Sequence, residues 1–450
     1  MRGTRRPSHT ARMNQKADHA LVIGGSIAGL LAARVLLDYF PRVTIVERDV
    51  LPSEPVARRG APQAHHNHVL LLRGRQVMEE LFPGLQSAIL RDGGLLVDMP
   101  NELAWYTPWG LGVRFASPLL MLACSRALLE WRIRQMLAAL PGLAFASTPV
   151  EGLLMNHDRV IGVRTGLGHV DGDLVVDASG RGSHASRWLE ESGFRPPRET
   201  VVNAFLGYAS RVYRPSPDAA RWWKGMYVQA APPDHPRVGV ILPIEGGLWH
   251  VTIGGGDRHY PPADDAGFLD FTKSLRTPAL YEALQSAEPC SPIRTTRSTE
   301  NRRRHFESIR MPAGLVVTGD AVCAFNPVYG QGMTTAALGA QALGTSLRIT
   351  EARTGQPNGH GFERRFQSRL ARVNRDPWML ATGEDLRYRE TTGASRDLRT
   401  RLMHTYMDAI GRMTTHDAFV RERLLRAFHM IRPPASLFTP SLAWRVLTYS

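Results

Sequence analysis

Apolar residues gather in short runs, and their spacing predicts the elements of the chain. Residues 20–23 are an unbroken apolar run and read as a buried strand. Residues 27–39 repeat apolar positions at helical spacing, and residues 43–46 give a second buried strand. Strand, glycine-rich turn, helix and strand in that order form the front half of a dinucleotide-binding unit. Residues 125–140 read as an amphipathic helix that stops at Pro141-Gly142. Short alternating segments with glycine turns fill residues 150–176 and predict a small antiparallel sheet leading into a strand at 173–177. The pattern then changes. Extended segments at 201–213, 227–230, 238–243 and 249–254, separated by Pro- and Gly-rich turns, predict the antiparallel sheet of a second domain. Residues 315–318 return to a buried strand, followed by a loop and a helix from Met333 to about Thr350. Beyond Gly355 the chain is Arg-rich and helical in pattern, a cap with its boundary near 354–359.

Composition narrows this picture. A chain of 450 residues with 43% hydrophobic content can bury a large core over two domains. No apolar run approaches the ~18 residues of a membrane span. Residues 1–18 are basic and polar without a secretory apolar stretch, so they read as a disordered tail and the protein as cytoplasmic. Cys124, Cys290 and Cys323 are too scattered for a disulfide framework or a CxxC metal site. Lys plus Arg exceeds Asp plus Glu by 55 − 41 = 14, yet the only lysines are Lys16, Lys224 and Lys273. The densest basic run, Arg302-Arg303-Arg304, is short and lacks interleaved aromatics, which argues against a nucleic-acid partner.

Three separated stretches carry chemistry. The first is Gly24-Gly25-Ser26-Ile27-Ala28-Gly29, between a strand and a helix, as a phosphate-binding turn requires. Gly24 allows the tight turn and Gly29 the close packing of helix on strand, while the helix N-terminus offers N–H groups to a pyrophosphate. Ser26 stands where G-x-G-x-x-G has its middle glycine. Glu47 ends the second strand, where a carboxylate accepts from the ribose hydroxyls of an adenosine and repels a 2′-phosphate, so the site suits FAD or NAD. The second stretch, 174–183, runs from an apolar strand into Asp177 and a glycine-rich turn. The third runs through Gly319 and Asp320 to Pro327, Gly330, Gln331, Gly332 and Met333. Asp320 is placed to bind ribityl hydroxyls. The glycines admit a flat ring, and the helix N-terminus near Met333 stabilises the negative charge of a reduced flavin.

In this order the stretches resemble the group A flavoprotein monooxygenases, the broad class of aromatic hydroxylases and squalene epoxidase. A closer resemblance is to the bacterial polyketide epoxidases of the lasalocid and monensin pathways. It covers residues 21 to about 388. Its carriers are Glu47-Arg48-Asp49, Arg59-Gly60-Ala61-Pro62-Gln63-Ala64-His65-His66, Cys124-Ser125-Arg126, Asp177-Ala178-Ser179-Gly180, Pro243-Ile244-Glu245 with Trp249, the run from Asn326, and Trp378-Met379-Leu380. The resemblance implies an α/β fold: an FAD-binding Rossmann-like domain of the glutathione-reductase type, an inserted antiparallel-sheet substrate domain and a C-terminal helical cap. Residues 19–95, 120–195 and 295–355 would form the first, 96–119 and 196–294 the second, and 356–450 the third. It also implies that Arg48, Arg58 or Arg59, Arg126, Val150, Asp320 and Met333 touch a non-covalent FAD. Val150 would hold adenine through its backbone. NAD(P)H and O2 would be co-substrates, oxygen being activated at the flavin C4a position and passed to an apolar small-molecule substrate.

No Ser/His/Asp or paired-carboxylate constellation is found, and flavin-borne chemistry requires none. His66, Tyr208, Trp249 and His250 are pocket candidates, with Trp105, Tyr106, Trp109, Trp222 and Trp223 as further apolar lining. His65, His66 and His68 lack the cysteine or acidic partners of a metal site. A flavin-dependent reductase of a lipid-like substrate and an aromatic hydroxylase are the alternatives. Halogenases of this fold use a lysine between the first and second stretches and a GWxWxIP motif; this chain has neither. An epoxidation rather than a phenol hydroxylation is expected, because a π bond needs no positioned base.

Overall fold

The computed structural model describes residues 17–217 and 221–448; the basic stretch 1–18 lies outside the described residues as far as position 16. Its centre is a five-stranded parallel sheet in the order Leu315–Val317, Leu174–Asp177, His19–Ile23, Arg42–Glu47 and Leu143–Ser147. Leu21, Val22, Ile45, Val175 and Val316 are fully buried. That explains why the four strands other than the largely exposed Leu143–Ser147 read as apolar runs: a parallel sheet is covered on both faces.

The helices Ile27–Leu36 and Gly332–Thr354 pack against one another beside this sheet. The first ends three residues before the predicted stop at 39. Asp38 and Tyr39 bond back to Val35 and Leu36 in tight turns, and Pro41 disfavours helical backbone at the residue before it. The helix Arg126–Ala138 is capped by Ser125, whose side chain accepts from the Leu128 N–H. It is not amphipathic in the ordinary sense: Arg126, Glu130 and Arg134, one turn apart, are buried together with its leucines.

The predicted small antiparallel sheet is present over Val150–Asn156, Arg159–Thr165 and Gly168–Asp171. The second large sheet departs from the expectation. Gly207–Pro215, Leu248–Gly255, Arg237–Ile244 and Gly225–Val228 pair antiparallel in that order, but Gly225–Val228 pairs parallel with Leu103–Thr107. The sheet is therefore mixed. Leu103–Thr107, followed at the edge by Gly110–Leu111, comes from a sequence-distant stretch, and a parallel pair needs such a long connection, which strand-by-strand alternation does not reveal.

Beyond residue 356 the main elements are the helices Phe362–Asp385, Leu398–Met413, Ala418–Phe428 and Pro440–Thr448. Among the described residues no helix is long and apolar enough to cross a membrane. The Arg302-Arg303-Arg304 run lies in the strand Asn301–Arg304 and pairs with Glu199, Glu300 and Glu307.

Candidate functional site

The site begins at the turn between the first strand and helix. Gly24 has φ +100°, and a Cβ there would lie 2.8 Å from the Ala178 carbonyl oxygen; a Cβ on Gly29 would lie 1.8 Å from the Gly24 oxygen. Both positions are thus closed to side chains. The Gly25 N–H donates to Glu47 Oε2 over 2.7 Å, and the Asp49 N–H donates to Glu47 Oε1 over 3.1 Å. The Thr148 N–H donates to the Glu47 carbonyl, two residues before the strand that starts at Val150. Ile27 is core, and Ala28 packs under Gly319, where a Cβ would meet its methyl at 2.8 Å.

A buried charged cluster faces the turn. Arg58 bonds Glu130 through Nε at 3.0 Å and Asp49 through Nη1 at 2.8 Å, and lies 3.3 Å from Glu47. Ser26 Oγ donates to Glu130 Oε2 over 2.7 Å, and Arg126 Nη2 donates to Ser26 Oγ over 2.8 Å. Burial opposes the Arg58 charge, but Glu130 and Glu47 outweigh it and raise its pKa; at Arg126 burial prevails and lowers the pKa, against Glu130 and Asp320. Of the two arginines left open by the resemblance, Arg58 is the one turned inward; Arg59 and Arg48 are exposed. The hydroxyl of Ser26 is accordingly a bridge between a carboxylate and a guanidinium.

Asp320 is half-buried and close enough to Arg126 to support its charge, yet makes no hydrogen bond to a described residue. Asp177 is fully buried, and its carboxylate is spent within its own loop: it accepts from Ser179 N and Oγ and from Ser183 Oγ. It shapes the turn rather than presenting itself to a ligand. Pro327 starts a short 3-10 turn closed by Gly330 at φ +64°, Gln331 caps the long helix, and Met333 is buried in its first turn. Asn326 ties this loop down. Its Oδ1 accepts from Tyr208 Oη at 3.0 Å, and its Nδ2 donates to Asp385 Oδ1 at 3.0 Å.

The second sheet turns one face toward the segment 65–68. Register places Ser210, Thr252, Val240, Tyr227 and Trp105 in one row across five strands. His66 Nδ1 is hydrogen-bonded to Ser210 Oγ at 2.8 Å, Ser210 Oγ to Thr252 Oγ1 at 2.7 Å, and the Asn67 N–H donates to Thr252 Oγ1. His250 Nε2 donates to the His65 carbonyl at 3.0 Å. Burial first, and neighbouring histidines second, lower His66 to about 4; burial lowers His250 to about 4, and also lowers His68. Burial raises the Tyr208 hydroxyl.

His66, Tyr208 and His250 therefore share one side of the sheet. Trp249 does not. It neighbours His250 in sequence, so its side chain points to the opposite face. There it is buried against Trp223 with Phe268 and Phe271. Tyr106 packs on that opposite side too, whereas Trp105 lies on the His66 side, touching Tyr227 and Phe428. Trp109 meets the helix Leu398–Met413 at Gly411, and Trp222 is exposed under Arg114.

Two observations test whether an FAD fits. Arg126 Nε and Gln331 Oε1 are buried polar atoms without a hydrogen-bond partner among the described residues, and a buried polar atom left so is costly. Both lie on the predicted cradle, and a Cβ at Gly332 would meet open space. The residues present fit a polyanionic group with a flat ring. Among the described residues no group of three or more His, Cys, Asp or Glu side chains is placed to hold a metal ion.

Glu130 was visible as a charge four residues after Arg126 and four before Arg134, a stripe a purely amphipathic reading passes over. Ser210, Thr252, Asn301 and Asp385 carry no local signal; only folding brings them to the loop and segment they hold.

No family model matches the chain. Protein Rv3254 of Mycobacterium tuberculosis is 31% identical over 441 residues, covering 94% of this chain and 91% of that protein. The flavin-dependent brominase Bmp2 superposes with a TM-score of 0.68 at 15% identity, covering 91% of this chain and 93% of that one. PqsL of Pseudomonas aeruginosa, described as a probable FAD-dependent monooxygenase, superposes with a TM-score of 0.58 at 17% identity, covering 91% and 100%. At these identities the structural likeness is one of fold.

Proposed function

Because the chain belongs to the family of Protein Rv3254 of Mycobacterium tuberculosis and has the fold of flavin-dependent enzymes, we propose that it is an FAD-dependent monooxygenase. It uses NAD(P)H and O2 to epoxidise or hydroxylate an apolar, natural-product-like small molecule. The observation that carries this reading is the cradle itself: a side-chain-free glycine turn bonded to Glu47, beside a buried Arg126 whose Nε lacks a partner. Glu47 would accept from the adenosine ribose and the backbone near Val150 would meet adenine. Arg126 and the N-terminus of the helix at Ile27 would take the pyrophosphate, and Asp320 the ribityl chain. In this reading the discontinuous stretches around the parallel sheet form the cofactor domain, and the mixed sheet forms the substrate domain.

When bound, the flavin supplies oxygen activation and transfer. The chain supplies position and exclusion of water. Loop 326–332 would receive the ring, and the His66 side of the mixed sheet, with the buried Tyr208, Ser210, His250 and Thr252, would limit the access of water to it.

An alkene as oxygen acceptor is favoured by the weakness of the bases on that wall. His66 and His250 give up their protons already near pH 4, and a general base works best with a pKa near the operating pH. The Tyr208 hydroxyl is raised and held on Asn326. A halogenating role is disfavoured by lysine placement. Lys224 and Lys273, the lysines among the described residues, are exposed and paired with Glu102 and Asp270. The reading is tested by extracting the flavin. The purified chain should release FAD on denaturation, and FMN, or no flavin after reconstitution, would overturn it.

A further inference from the structure

Behind the loop that the proposed reading sets against the flavin lies a carboxylate that no ligand would touch. Asp385 ends the helix Phe362–Asp385 and is fully buried. Its Oδ1 accepts from Asn326 Nδ2 at 3.0 Å and Tyr329 Oη at 2.6 Å, and its Oδ2 accepts from Asn301 Nδ2 at 2.6 Å. The Asn326 N–H donates to Asn301 Oδ1 at 2.8 Å, and Tyr208 Oη donates to Asn326 Oδ1. One carboxylate thus gathers the loop, the strand at Asn301 and, through Asn326, the mixed sheet. It forms no ion pair among the described residues. The titratable groups around it are Tyr329, Tyr208, Tyr388 and Glu384. Burial raises its pKa to about 7, against the three hydrogen bonds that favour the charged form.

We infer that Asp385 is a positioning residue: as a carboxylate surrounded by donors it fixes Asn326 and Tyr329, and through them the backbone of loop 326–332 that receives the flavin. This rests on the reading of that loop as flavin-facing. The hydrogen bonds give the inference a sharp chemical consequence. Asn301 cannot turn its amide, because its Oδ1 is held by the Asn326 N–H. Asp385→Asn keeps the shape but sets two NH2 groups face to face, at Asn301 or, with the new amide turned, at Asn326. Adding Asn301→Asp restores an acceptor at position 301, with the charge moved to the other side of the same bond.

The full-length chain is compared as wild type, Asp385→Asn and the double variant Asp385→Asn/Asn301→Asp. Two quantities are read: amide hydrogen exchange over residues 326–332 without FAD, and the Kd for FAD. The single variant should speed exchange and weaken FAD binding, each by about tenfold, the loss of one charge-assisted hydrogen bond. The double variant should return both to within about threefold of wild type. If the single variant does not fold, Tyr329→Phe, which removes one donor, must loosen the same amides. Wild-type exchange and affinity in the single variant would overturn the inference, as would a double variant that falls as far as the single. A wild-type chain that binds no FAD would overturn the flavin reading and the flavin half of this inference, while the exchange comparison still decides whether Asp385 holds the loop.

Discussion

The Gly25 N–H donates to Glu47 Oε2 over 2.7 Å, so the carboxylate that ends the second strand is locked to the turn that ends the first. Each Glu47 oxygen takes one backbone N–H; Oε2 also lies 3.3 Å from Arg58, and Oε1 keeps a lone pair for a ribose hydroxyl. Asp320, by contrast, has no hydrogen bond to lose. Glu47→Arg and Asp320→Ala should each weaken FAD binding by roughly 10- to 150-fold, the loss of charge-assisted hydrogen bonds of about 1.5–3 kcal/mol. Thermal stability should separate them, with Glu47→Arg lowering the melting temperature and Asp320→Ala leaving it nearly unchanged. Titration of the apo-protein with FAD, read by flavin fluorescence, measures the first; unchanged affinity in both would place the cofactor elsewhere.

Glu130 sits among Arg58, Arg126 and Ser26. Removing one partner of a buried ion cluster strands the others, at a cost of about 3–5 kcal/mol. Glu130→Gln should therefore lower the melting temperature of the apo-protein. Bound FAD brings a pyrophosphate to the same arginines, so adding FAD should raise the melting temperature of the variant more than that of wild type. An equal FAD-induced rise in both would show that the cluster lies away from the pyrophosphate.

How much of this was legible in the sequence follows from how local each signal is. Gly24, Gly29 and Glu47 were legible because a turn with positive φ, a close helix–strand contact and a strand-end carboxylate leave marks within thirty residues. The parallel sheet was legible because strands buried on both faces are uninterrupted apolar runs. Trp249 parts from His66 and His250 because alternation says that neighbouring residues face opposite ways but not which face packs on segment 65–68; the bonds of Ser210 and His250 to that segment decide it, and the segment comes from elsewhere in the chain. The parallel pairing of Leu103–Thr107 with Gly225–Val228 and the reach of Asp385 to Asn301, 84 residues away, are products of topology.

The two faces of the mixed sheet give a paired prediction. Trp105 lies on the His66 side and Trp249 on the other. Trp249→Ala should cost about 3–5 kcal/mol of stability, as large core truncations do, with little change in the KM for substrate. Trp105→Ala should raise KM or alter the product pattern at a smaller stability cost. The opposite assignment of effects would mean the substrate lies on the Trp249 side of the sheet.

Burial holds His66, His250 and His429 near 4, below the ordinary value of about 6.5. As pH falls through 6.5 the unfolded chain binds these protons and the folded chain does not until near 4, so stability falls across that window. Asp385, raised to about 7, acts in the other direction: its folded form keeps a proton longer, a stabilisation present in acid and lost as pH rises through 7. Three groups outweigh one, and the melting temperature should drop from pH 6.5 to 4. His429 Nδ1 accepts from the Leu72 N–H; His429→Gln keeps an acceptor without the proton and should flatten the drop. A melting temperature that rises toward pH 4 would contradict the assignment of these buried histidines as neutral.

In the proposed function, a bound FAD lets this chain place one oxygen atom of O2 on an apolar substrate. The measurement that meets it most directly supplies the FAD-loaded protein with NAD(P)H, 18O-labelled O2 and paired alkene and phenol candidates, and follows the label by mass spectrometry. One 18O atom is expected in an epoxide, or in the diol from its opening, with NAD(P)H consumed in step. Oxidation of NAD(P)H with no labelled product from any candidate, or a product reduced rather than oxygenated, would contradict it.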